Sequence, residues 1–136
     1  MVVKMGNEFD YSLNEIEGFK ENLSGLDSGL IEKYMVARSK KLKDLSVDEI
    51  RVLLSQLIGL AYIVPLALNI VEQDPLISSG LYSGDLAVSL FNIDEEFWSN
   101  NPEWNNRLIE VKFEIEEIYK TISEEILPLT VGMDFK

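Results

Sequence analysis

A chain of 136 residues is the size of one domain, and it is long enough to bury a core without metal or disulfide staples. Hydrophobic residues make up 46% and the mean hydropathy is +0.03, which suits a folded globular protein and not a disordered one. With no Cys and no His the chain lacks the ligands of structural zinc, thiol nucleophiles, the Ser-His-Asp arrangement and the commonest neutral-pH base. Its net charge of −12 disfavours direct contact with nucleic-acid phosphates and fits a basic protein partner instead. The charge is lopsided: residues 1–68 carry 10 acidic and 8 basic side chains, residues 69–136 carry 14 and 4. Solubility alone explains an acidic balance, so charge by itself does not identify a function.

The opening residues lack the apolar stretch of a secretory signal, which places the expected mature protein in the cytoplasm. Ser12 followed by Glu15 has the form of a capping box, and Ile16, Phe19 and Leu23 follow at helical spacing, predicting a first helix over about 13–22. Ser24-Gly25 and Ser28-Gly29 break it. A second helix is predicted over 30–42, ending in Arg38, Lys40, Lys41 and Lys43, whose cations complement a helix C-terminus and pair with the acidic half. Four charges fall short of a nucleic-acid patch. Leu45-Ser46-Val47-Asp48-Glu49 is the clearest helix start, with Ser46 capping, Glu49 reaching back and Gly59 as the left-handed stop.

Leu57 to Val71 carries no charge over fifteen positions and reads as buried on every side. It is too short for the roughly 20 apolar residues of a membrane span. It therefore predicts a central core helix over about 61–73, with Pro65 tolerated near its start. Beyond Asp74-Pro75, Ser83 is predicted to cap a helix with Asp85 in its first turn and Leu86, Ala87, Val88, Leu90 and Phe91 packing inward. Asp94 starts a short turn, Glu95 to Ser99, that sends Phe97 and Trp98 to the core. Asn101-Pro102 combines an N-cap with proline at the first helical position. Trp104, Leu108, Val111, Ile115, Ile118, Ile122 and Ile126 then form one apolar stripe, predicting a long C-terminal helix over about 102–126, with a Glu116–Lys120 pair on its surface. The whole chain, 1–136, reads as a single all-α domain, a compact bundle of six or seven helices.

Glycine-rich phosphate loops and the alternating Asp/Asn pattern of a calcium loop are absent, so no cofactor or metal is expected and no catalytic residue stands out. Glu110, Glu114, Glu117 and Glu124 lie off the apolar stripe as a solvated face. Aromatic residues after the central helix belong mostly to the core, and any that stay exposed are candidate anchors for a protein partner.

The segments LSVDEIRVLLSQLIGLAYIVPLALNIVEQDPL, LYSGDL (81–86) and EEFWSNNPEW (95–104) resemble the immunity proteins of contact-dependent growth inhibition (CDI) systems. Their order and spacing follow that family's GQ-x-IGL-x-Y-x-xPLAL, YPGDLL and FW…P pattern. Ser55-Gln56 stands for Gly-Gln, and Ser83 and Ala61 stand where the family has proline. The resemblance implies a non-enzymatic antitoxin that binds the C-terminal toxin domain of its cognate CDI effector as a monomer in a 1:1 complex, the toxin often being a nuclease. From its charge and its short apolar run the chain is expected to contact neither nucleic acid nor membrane. The candidate toxin-binding residues are Tyr82, Asp85, the Asp94, Glu95 and Glu96 turn, and Glu110, Glu114, Glu117 and Glu124. An acidic helical adaptor for another basic protein is the alternative.

Overall fold

In the computed structural model, which describes residues 8–18 and 28–136, three helices begin where a short polar side chain, Ser12, Ser46 or Asp94, satisfies an orphan N–H group of the first turn. Among those residues the chain is all-α, with helices α1 (Leu13–Glu17), α2 (Ser28–Ser39), α3 (Val47–Ser55), α4 (Leu60–Gln73), α5 (Asp85–Phe91), α6 (Glu95–Ser99) and α7 (Pro102–Thr121). Both predicted capping boxes form. Ser12 Oγ accepts from Glu15 N and Ser46 Oγ from Glu49 N, each at 3.1 Å, while each glutamate accepts from the cap residue's own N–H.

Helix α1 is shorter than predicted. It closes at Gly18, where φ of +76° ends the helix and the N–H donates to Asn14 O; the predicted continuation over 19–22 lies outside the described residues. Helix α2 stops at Ser39 instead of running to 42, because the backbone there is drawn into an antiparallel bridge. Leu42 N donates to Tyr11 O and Lys43 N to Phe9 O, which pulls Lys41 into an extended conformation before a 3₁₀ turn at Leu42–Asp44.

The junction of α3 and α4 differs most from expectation. Helix α3 ends at Ser55, and the left-handed stop is Leu57, not Gly59. Ile58 N donates to Leu53 O and Leu57 N to Leu54 O, both at 3.0 Å, the paired bonds of a Schellman motif with leucine in the position glycine normally takes. Leu57 is 56% exposed, so packing does little to compensate its backbone. Gly59 is left-handed too, at φ +61°, but as the N-cap of α4, and it has a second reason to be glycine: a Cβ there would lie 2.8 Å from Leu13 Cδ2.

Helix α4 is the central helix, packing against α3, α5 and α7, with Ile63, Val64, Ala67, Leu68 and Val71 buried. It is not buried on every side: Ala61 and Asn69 are exposed, and Tyr62, Leu66 and Ile70 are half-buried. Pro65 lacks the N–H that would have bonded the Ala61 carbonyl, and Ala61 is an exposed residue, where such a loss costs least. Around α4 the core gathers Leu13, Leu53 and Leu54 from the first half and Leu86, Leu90, Trp98, Leu108 and Val111 from the second.

Three further expectations are corrected. Gly84, at φ +90°, is the N-cap of α5 in place of Ser83, and on that helix Val88 and Phe91 face outward. Asn101 does not cap α7 with its side chain; its Nδ2 donates to Phe97 O at 2.8 Å and closes α6 instead. Helix α7 proper ends at Thr121 and passes into a π-helical turn, Ile122–Ile126, and a 3₁₀ turn, Leu127–Thr130. Pro128 has no N–H for the α-helical ladder, and its ring crowds the carbonyl of Glu124, so the last turn widens. Ser123 adds to this by donating to Tyr119 O at 2.8 Å.

Replacing Leu57 by Gly is expected to raise unfolding stability by about 0.5–1 kcal/mol, by removing left-handed strain at an exposed site. Gly59→Ala is expected to lower it by about 1–3 kcal/mol, since both backbone and Leu13 oppose a methyl group. Urea unfolding of the two variants beside the parent chain checks both signs.

Candidate partner-binding surface

Two surfaces collect five of the nine residues singled out from the sequence, Tyr82 and Asp85 on one and Glu110, Glu114 and Glu117 on the other. The first is the loop between α4 and α5, organised by Asp85. Its carboxylate is 2% exposed and turns back to accept from Ser79 N at 2.7 Å, Ser79 Oγ at 2.6 Å and Leu81 N at 3.0 Å. Arg51 Nε donates to Ser79 Oγ at 2.8 Å and its Nη2 to Asp48, tying the loop to α3. A bridge between Ser78 and Ser83, with Gly84 N donating to Leu76 O, closes the loop at its base.

Burial pushes the Asp85 carboxyl up, but the Ser79 hydroxyl together with the N–H groups of Ser79, Leu81 and Tyr82 outweighs it and holds the group at about 2. Asp85 is thus committed inside the protein, where it shapes the loop. What the loop presents is Leu81 and Tyr82, both more than half exposed on a braced backbone. Tyr82 is exposed, the condition the sequence reading set for a candidate anchor, and Leu81 beside it, which that reading did not single out, is exposed as well.

The second surface is a groove of about 440 Å³ between the end of α4 and α7, lined by Glu72, Glu110, Val111, Phe113, Glu114 and Glu117. Three of the four predicted α7 glutamates meet there because residues 110, 114 and 117 share one helix face. Glu124 lies beyond the groove, in the π-helical turn. Glu72 joins them from α4, where bidentate hydrogen bonds from Arg107 hold its carboxyl below the usual range. Arg107 also donates to Asn69 Oδ1 at 2.8 Å, so one guanidinium fastens α7 to α4 at the groove's edge.

Glu110, Glu114 and Glu117 have no ion-pair partner among the described residues, and Phe113 gives the groove a half-exposed apolar wall. Phe113 was not singled out from the sequence, although its place at i+3 from Glu110 and off the core stripe is the signal that would have found it. Glu72 and Arg107 carry no such signal, because their meeting depends on the packing of two helices. The surface pair on α7 is Lys112–Glu116 at 3.5 Å, not Glu116–Lys120. The Asp94–Glu96 turn is partly structural: Asp94 Oδ1 accepts from Phe97 N at 2.9 Å as a helix cap, while Glu95 and Glu96 are exposed.

The basic cluster of α2 does not serve the acidic half. Arg38 is buried, donating to Glu17, Asn14 and Gly18 O, Lys40 pairs with Glu49 at 3.0 Å and Lys43 with Asp10 at 2.9 Å, all within the first 68 residues. The acidic second half is consequently left to its own few cations, of which Arg107 pairs with Glu72 and Lys112 with Glu116. Among the described residues no three acidic side chains converge to hold a metal, and no helix is long and apolar enough to cross a membrane.

Because the folded-state carboxyl of Asp85 titrates near 2 against an ordinary 3.8, its contribution to stability is present above about pH 4 and fades as the pH falls towards 2. Asp85→Asn is expected to cost about 1–3 kcal/mol at neutral pH, since an amide offers one acceptor where the loop's donors meet two. Thermal melts of parent and variant from pH 7 to pH 2 should converge at the acid end.

No curated protein and no solved structure matches the chain. A family model described as CDI immunity proteins matches residues 15–108. The match runs from α1 through the α3–α4 hairpin, the Asp85 loop and the aromatic turn of α6 to the opening turns of α7. It covers well over half of the 136 residues, and the chain belongs to the immunity proteins of contact-dependent growth inhibition.

Proposed function

We propose that this chain acts in the cytoplasm as a single non-catalytic domain over residues 1–136, a monomer that binds the C-terminal toxin domain of its cognate CDI effector in a 1:1 complex. The toxin is a nuclease whose cleft is lined by Lys and Arg. The observation that carries this reading is the groove of Glu72, Glu110, Glu114 and Glu117, three of whose carboxylates have no ion pair in a second half that already carries an excess of acid. A nuclease cleft is basic because it must hold phosphates, so an acidic groove with an apolar wall can occupy it without chemistry. The braced Leu81-Tyr82 tip supports the same reading as a rigid anchor with little ordering entropy to lose on binding. Occlusion requires no cofactor.

Co-expression with the toxin domain encoded beside this chain should restore growth, and the two proteins should co-purify. Continued toxicity with no co-purification would reject the proposal. Reversing Glu110, Glu114 and Glu117 to Lys should slow association by about 10-fold or more at low ionic strength, with the difference shrinking at high salt. Association rates that ignore the reversal would move the electrostatic contact away from this groove.

A further inference from the structure

The apolar stripe of α7 outruns the core it serves. Leu108 and Val111 are buried and Ile115 and Ile118 half-buried, but Ile122 and Ile126 are exposed. The π-helical turn and the 3₁₀ turn that follow pack chiefly on their own preceding turns, and there Leu127, Leu129 and Val131 are 53%, 82% and 84% exposed. Monomeric proteins rarely leave a contiguous apolar surface of this kind uncovered. The same segment carries Glu124 and Glu125, and it continues the helix that bears Glu110, Glu114 and Glu117. A second copy of the chain laid on this surface would bring two acidic arrays together, whereas a basic partner would pair with both. The family match ends at residue 108, so the arm belongs to the part of the chain that the family pattern does not describe.

We infer that residues 122–131 form an apolar arm that anchors the cognate toxin domain, inserting Ile126, Leu127 and Leu129 into an apolar groove rimmed by Lys and Arg. The inference rests on the antitoxin reading and adds to it a division of labour. The glutamates of α7 govern encounter and the arm governs residence, since charge acts over distance while apolar contact acts only after docking.

The test uses the full chain with Ile126→Ser, Leu127→Ser and Leu129→Ser combined, against the refolded toxin domain encoded beside it, by surface plasmon resonance, with thermal melting and sedimentation of each protein alone. The expected result is an unchanged melting temperature, an association rate within about threefold of the parent and a dissociation rate raised by about 30-fold or more, as loss of an interface anchor requires. Parent-like dissociation by the triple variant overturns the inference while leaving the antitoxin reading intact. A parent dimer that the variant lacks, with toxin binding unchanged, assigns the arm to a second copy and also overturns it. Failure of the parent chain itself to bind removes the antitoxin reading and the arm's assignment with it.

Discussion

The close approach of Leu13 to Gly59 is the contact on which the rest of the molecule depends. Helix α3 must end, reverse and re-enter as α4 within four residues, and it does so through two left-handed positions, Leu57 and Gly59. Only a residue without a Cβ lets the Leu13 side chain close over the start of α4. Once that hairpin is made, α3 and α4 present the buried faces against which α2, α5 and α7 pack. The glutamate groove is a product of that packing, because Glu72 stands at the end of α4 and the other three carboxylates on α7.

Electrostatics divide the chain along the same lines. The first half spends its cations internally: Arg38 fastens α1 to α2, Lys40 joins α2 to the start of α3, and Lys43 ties the 3₁₀ turn to residue 10. The second half has few cations to spend, and Arg107 uses one of them to set α7 on α4. A protein built this way keeps a neutralised framework and an unneutralised surface. Exposed ion pairs contribute little stability individually, so leaving most acids of the second half unpaired costs little in folding while concentrating negative charge there.

Asp85 shows how a family motif and a binding surface differ. The aspartate of LYSGDL is locked to the loop it follows, its carboxylate accepting from Ser79 and Leu81 inside the protein. The groups beside it, Leu81 and Tyr82, are the exposed ones. The same holds for the uncharged run of α4, whose inward face makes the core while Asn69 and the neighbouring Glu72 hold the arginine that positions α7.

How much was legible without a structure follows from the range of the forces involved. The capping boxes at Ser12 and Ser46, the Asp94 turn, proline at the start of α7 and the all-α class are local: they depend on side chains within three or four residues and on a periodicity of 3.6, and the sequence determined them. Leu57 as the left-handed residue, Gly84 as the cap of α5, the inward turn of Asp85, the short α1 and α2, and the joining of Glu72 to Glu110, Glu114 and Glu117 were decided by tertiary structure. Some depend on a partner distant in sequence, such as Tyr11 at Leu42 or Arg107 at Glu72, and others on turn geometry that residue types alone do not spell out, such as the paired bonds at Leu57 and the Ser79–Tyr82 loop around Asp85. The apolar stripe shows the same limit: its spacing fixes which face of α7 is apolar, but whether that face meets a core or water depends on where the neighbouring helices end.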